Sequence, residues 1–169
     1  GGVVMRWPSY PLWTLCDVVI GATPSRRKSE YWGGKHTWVT VSELNGRTLV
    51  KSKEHITDEG VKNSASKLVP AGTLLFSFKL SIGKMAFSGV DLYTNEAIAA
   101  LPIRPGVPLD KHYLYYALST SDLSVGAHAA VKGKLLNKEK LKRIEVPLPP
   151  LSEQRRIVEL LDQANALRK

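Results

Sequence analysis

The chain has one cysteine, Cys16, among its 169 residues, so it cannot close an internal disulfide, and a reducing, cytoplasmic setting is expected. It also lacks long apolar runs. The longest, such as Leu74 to Phe78 and Ala97 to Ile103, fall far short of the roughly 20 residues that cross a bilayer, and nothing resembles a secretory signal. Catalytic signatures are missing as well. The four histidines, His36, His55, His112 and His128, stand in unrelated contexts without HExxH or a Cys/His cluster, so no metal site is expected. Gly83-Lys84 resembles the end of a phosphate-binding loop, but Met85 stands where Ser or Thr is required and Phe78 where a glycine is required. No G-x-S-x-G, nuclease-type acidic set or Asn-Pro-Pro-aromatic motif is found. The expectation is a protein that is not an enzyme and needs no cofactor.

Acidic residues are also in short supply: 15 Asp plus Glu face 24 Lys plus Arg, a formal charge of +9. A chain this basic concentrates polyanions around itself, although solubility alone is the plainer explanation. Clustering favours the first reading. Lys132, Lys134, Lys138, Lys140, Lys142 and Arg143 crowd together with only Glu139 opposing them, and Arg26, Arg27 and Lys28 are consecutive.

With 43% hydrophobic and 23% charged residues, the chain can bury one sizeable core. Trp13 to Ile20 reads as a short apolar element broken by Gly21-Ala22-Thr23-Pro24-Ser25, a loop that continues through Tyr31-Trp32-Gly33-Gly34-Lys35. Trp38 to Val41 has the composition of a strand, and Asn45 to Lys67 suits turns or an irregular excursion. Thr73 to Phe78 and Ile82 to Phe87 look like a buried hairpin, with Ala97 to Leu101 as a third strand. Asp110 then caps a helix whose buried face carries Tyr113, Leu114, Ala117 and Leu118, and Asn137 caps a turn through Leu141. Ile144 to Leu148 returns to strand. The class is α+β, without regular βαβ alternation.

Pro147, Pro149 and Pro150 forbid helix, and Ser152 is placed to cap a helix that starts beyond them. The expected division is a globular domain over residues 1–150 and an amphipathic, coiled-coil-type helix over 151–169. Ile157, Leu160, Leu161, Ala164 and Leu167 form its seam, with Arg155 and Glu159 spaced for an ion pair. The seam is too short to stand alone in water, so the helix needs a partner or a continuation, unless it folds back on its own domain.

DNA recognition needs Lys or Arg on phosphates, and Arg, Lys, Asn, Gln, Ser or Thr at base edges, displayed on loops. Three segments meet this description. The first is Thr23 to Lys28 with Lys35 and Trp38, the second Lys79, Ser81 and Lys84 with Asn95 and Glu96 nearby, and the third His128 to Lys134. Arg26, Arg27, Lys28, Lys132 and Lys134 are assigned to phosphates. Ser25, Lys79, Lys84 and Asn95 are placed nearer the bases. Each segment alone is equally compatible with a solvated loop.

These segments carry a family likeness: GATPSRRKSEYWGGKHTWVTVSEL, VPAGTLLFSFKLSIGKMAF, YTNEAIAALPI and VKGKLLNKEKLKRIEVPLPPLSEQRRIVELLD, in that order. Nearly the whole chain resembles one target recognition domain, with the start of its spacer helix, of the specificity subunit of type I restriction-modification systems. The resemblance implies a mixed α+β domain that reads one half of a bipartite double-stranded DNA site. It implies partners too: methyltransferase and endonuclease subunits, which use S-adenosylmethionine and ATP for the chemistry. A full specificity subunit has two such domains and two long helices, so this chain is expected to be a fragment or a half-size subunit that pairs with a second copy. The competing expectation is an assembly module that docks those subunits through its helix with little DNA affinity of its own.

Overall fold

The computed structural model describes residues 7–79, 81–119 and 136–167. The first half of the chain contributes β1 (Ser9–Pro11), α1 (Leu12–Leu15), β2 (Val19–Ile20), β3 (Trp32–Val39), β4 (Thr48–Leu49), β5 (Glu54–Ile56) and α2 (Asp58–Lys62). After these come β6 (Leu74–Ser77), β7 (Met85–Ser88), β8 (Tyr93–Thr94), β9 (Ile98–Leu101), α3 (Lys111–Ser119), α4 (Lys138–Lys142), β10 (Glu145–Pro147) and α5 (Leu151–Leu167). The class is α+β, a globular body followed by a C-terminal helix.

The five-stranded sheet runs β2-β9-β6-β7-β4, and its centre is the expected hairpin with β9 added antiparallel alongside. Because strand side chains alternate between faces, Leu74, Phe76 and Phe78 point one way and Leu75 the other. Both faces are covered. The first joins Leu12, Leu101, Tyr113, Leu114, Leu141 and Ile144, so α1, α3 and α4 pack there. The second gathers Val39, Leu49, Val69, Leu75, Leu92 and Ile98. A three-stranded sheet, β5-β3-β8, holds a separate cluster of Trp38, Ile56 and Tyr93, and β1 pairs with β10.

Several local expectations hold. The Asp110 carboxylate accepts from the backbone N–H of His112 at 2.8 Å and Tyr113 at 3.0 Å, and Asn137 Oδ1 accepts from Lys140 N–H at 2.8 Å. Others need correction. The segment Trp13 to Ile20 is split between α1 and β2. Strand β3 begins at Trp32 and ends at Val39, and Val41 starts a 3-10 turn instead, held by a capping box between Thr40 and Glu43. Its glycines mark a bulge, with Ile56 opposite both Trp32 and His36. A Cβ at Gly34 would lie 2.5 Å from Thr57 Cα, so glycine is what lets β5 close on β3. The stretch Asn45 to Lys67 contains β4, β5 and α2 where turns were expected.

The C-terminal helix also differs from expectation. Its first turn is closed by the Pro150 carbonyl, which accepts from Glu153 N–H at 2.9 Å and Gln154 N–H at 3.0 Å, so Ser152 lies inside the helix and does not cap it. The ion pair formed is Glu153 with Arg156, at 2.6 Å, in place of Arg155 with Glu159. Fully buried Gln154 ties the helix to the body. Its Oε1 accepts from Asp110 N–H, and its Nε2 donates to the carbonyls of Pro108 and Pro149, each at 2.8 Å. Ile157 and Val158 then pack on the first core cluster. Farther along, Tyr116 of α3 donates to Asp162 and accepts from Asn165, while Leu160 and Leu167 remain 51% and 87% exposed. The helix is thus laid against its own domain along one side and open along another.

Candidate nucleic-acid interface

Strand register brings the first two basic segments together. Ile20 pairs with Ala99, Ser77 with Ile98, and Phe76 with Met85, so the loops leaving β2, joining β6 to β7 and entering β9 all lie at one end of the five-stranded sheet. Backbone bonds tighten this meeting: Gly21 N–H donates to Ile98 O, Ala22 N–H to Thr94 O, and Phe78 N–H to Ala97 O. Gly21 is required for the contact. A Cβ there would sit 2.2 Å from the Thr94 carbonyl oxygen. Gly46 N–H donates to Met85 O, which adds exposed Arg47 to the same end. Nothing in the Asn45 to Lys67 stretch signalled that arginine.

Within this end, Thr23 donates its hydroxyl to Glu96, linking the loop to the corner before β9. Asn95 commits its side-chain oxygen to Ala97 N–H at 3.1 Å. The β6–β7 loop is braced from inside by fully buried Ser77, which donates to Ser81 O and accepts from Lys84 N–H at 2.9 Å. Gly83 takes the turn with φ of 92°. With the loop backbone tied down, Lys79, Ser81 and Lys84 are left exposed, and Lys79 Nζ lies 5.3 Å from the Phe78 ring centroid.

The loop beyond Thr23 leans on the three-stranded sheet. The Arg26 guanidinium lies 4.0 Å from the Trp32 ring centroid and pairs through Nη1 with Glu54 Oε2 at 2.9 Å. Trp32 is itself fixed, donating Nε1–H to Ser25 O at 3.1 Å and meeting Trp38 edge-on at 4.9 Å. Arg26, Trp32, Gly33, Lys53, Glu54 and His55 line an open groove of about 340 Å³. Ser25, Arg27 and Lys28 are exposed on the loop. Lys35 reaches Asp58 at 3.5 Å, and His36 reaches the same carboxylate at 2.6 Å. The hydrogen bond from His36, then the Lys35 charge, hold the Asp58 carboxyl below its ordinary pKa.

Trp38 must be removed from the contact set. It is 1% exposed, with Nε1–H donating to Ala22 O at 3.0 Å, so it anchors the loop from beneath and cannot touch a ligand. Lys132 and Lys134 lie outside the described residues. Trp32, Lys53 and Glu54 were missed in the sequence, because a tryptophan between a tyrosine and two glycines and an acidic residue in a polar stretch carry no pattern of their own. Among the described residues no group of three or more His, Cys, Asp and Glu is placed to hold a metal ion. Of the helix residues, Ile157 and Leu161 are partly buried, whereas Leu160, Ala164 and Leu167 are exposed.

A family model described as "Type I restriction modification DNA specificity domain" matches residues 6–168. The chain belongs to this family. Among relatives of this DNA specificity domain, the MjaIX specificity subunit of Methanocaldococcus jannaschii is 29% identical over 95% of the chain. The EcoR124I/EcoR124II specificity subunit of Escherichia coli is 30% identical over 87% of it. The chain spans 38% of the length of each. The fold of the domain is also that of the HsdS subunit from Thermoanaerobacter tengcongensis. That crystal structure matches 99% of this chain and 39% of its own at a TM-score of 0.74 and 22% identity.

Proposed function

We propose that this chain reads one half of a bipartite double-stranded DNA site through the end of the five-stranded sheet that carries the 21–28, 79–84 and 95–96 loops. The observation that supports this most is the convergence of basic side chains. Arg26, Arg27, Lys28, Arg47, Lys79 and Lys84 come from three separated stretches of sequence, yet strand register gathers them at one sheet end and its flank. Sheet connectivity alone brings these loops to one end; what favours a nucleic-acid surface is that the side chains meeting there are so largely basic. Rigid strands beneath long polar side chains supply what groove reading needs: fixed backbone positions with cationic and hydroxyl tips.

In this reading the chain performs no chemistry. Methylation and cleavage belong to methyltransferase and endonuclease subunits of a type I restriction-modification complex, which works in the cytoplasm. Residues 1–150 form the reader, and residues 151–169 form a spacer that holds it at a set distance from a second recognition domain or a second copy. The exposure of Leu160 and Leu167, one heptad apart on the same helix face, is consistent with that role.

Equilibrium binding to duplex DNA across a salt series tests the assignment. If about five phosphates are neutralised, log affinity falls with log salt at a slope near −4.5. Binding that ignores salt would remove the phosphate contacts. Retention of a methyltransferase subunit by a chain without DNA affinity would favour docking over reading.

A further inference from the structure

Resting on the DNA-reading assignment, we propose that Arg26 and Glu54 act as a unit that reads a G·C base pair in the major groove. Arg26 would donate to guanine O6 and N7, and Glu54 would accept from the cytosine N4 amino group. This reassigns Arg26 from a phosphate to a base, and adds Glu54, a residue that general attraction to DNA would exclude.

Three observations lead here. First, the guanidinium is preorganised. It is stacked 4.0 Å from Trp32, which is wedged edge-on against buried Trp38 and tethered to Ser25 O. A mobile cation can follow a phosphate, and the fork suits phosphate too, but bidentate recognition of guanine requires the planar fork held in one orientation. Second, the partner has the wrong sign for a phosphate site. Glu54 bonds Nη1 at 2.9 Å and remains 43% exposed, so a phosphate drawn to Arg26 would meet a carboxylate beside it. A base-pair edge brings no such repulsion. Third, the donor and acceptor inventory matches one pair. Among the described residues Arg26 and Glu54 make one hydrogen bond to each other, which leaves further N–H donors and Oε1 unspent. In the major groove guanine offers two acceptors, and its partner cytosine offers a donor. An A·T pair presents an amino donor on the purine side, and thymine gives Glu54 nothing to bond. Lys53 and His55 flank the pair along the groove, where they can reach the backbone on either side.

The experiment is selection of duplexes from a randomised pool by the 169-residue chain, by Arg26→Lys and by Glu54→Gln, with circular dichroism to verify folding. The exposed pair and the charge-conserving Arg26→Lys change leave the fold intact. The unchanged chain is expected to select a motif containing a fixed G·C pair. Each variant should lose roughly 5- to 150-fold of its preference at that same position and keep the rest of the motif. Arg26→Lys should do so without altering the salt slope, which separates base reading from charge. A motif that survives intact in both variants, or variants that relax different positions, overturns this inference alone. An unchanged chain that selects no motif overturns the DNA-reading assignment beneath it.

Discussion

Replacing Gln154 with leucine should loosen the joint between α5 and the body more than any change on the helix surface. The side chain is fully buried and serves three groups at once: the Asp110 N–H and the carbonyls of Pro108 and Pro149. Leucine fills much of the space but satisfies none of them. An orphaned buried polar group costs about 1–3 kcal/mol. Pro149 is buried and Asp110 is half-buried, while Pro108 is exposed enough for water to replace its bond. The sum is about 3 kcal/mol, which for a domain of this size lowers Tm by roughly 6–12 °C. Denaturant titration is the assay, with a lowered midpoint at unchanged slope. Gln154→Glu adds a second signature. It keeps the acceptor for Asp110 but turns the donor into an oxygen facing two carbonyls, so the burdened form is the carboxylate. Its pKa in the fold is raised, and its stability deficit should grow as pH rises above the ordinary glutamate range and shrink in acid. A change under about 0.5 kcal/mol in Gln154→Leu, against the 1–3 kcal/mol expected for even one orphaned group, would refute the clamp.

Leu160→Asp combined with Leu167→Asp removes the exposed stripe of α5 without touching its buried side, so the fold should persist; if the spacer's partner is a second copy, the molar mass in solution falls from that of a pair to one chain, and a mass that does not respond contradicts pairing with a second copy. Burial pushes the Cys16 thiol up to about 12, and the side chain is fully covered, so a thiol reagent at pH 8 should label it only after unfolding. Rapid labelling of native protein would show that α1 opens locally. Burial also raises the Tyr113 phenol to about 12, from 10.0. The unfolded chain ionises first, so stability should decline as pH rises from 10 to 12, measured by denaturant midpoint.

The elements that were legible in the sequence are those whose signals are local. Asp110 and Asn137 each announce a helix start by one side chain, and the β6–β7 hairpin with β9 is a continuous apolar pattern between turns. The elements that were not legible depend on distant partners. Gly33 and Gly34 look like a loop until β5 approaches closely enough to need them, and β5 itself is three residues whose inward side chain, Ile56, is meaningful only against Trp38 and Tyr93. The same holds for the candidate site. The Arg26-Arg27-Lys28 run is conspicuous, but its neighbours Trp32 and Glu54 reach it through a bulge and a strand pairing that no spacing rule encodes. Trp38 misled because its place beside the basic loop put it in the contact set, whereas here it supplies the buried floor. Ser152 misled because the helix starts too early for it: Leu151 is already helical, so Ser152 lies inside the first turn.

The most direct test of DNA reading through this sheet end is amide hydrogen exchange of the chain with and without a bound, selected duplex. Protection on binding is expected in the 21–28 loop, the 78–84 loop and the 94–97 corner, with little change on the opposite face around Tyr10 and Trp13. Protection confined to α5 or to that opposite face, with the three loops unaltered, would contradict it.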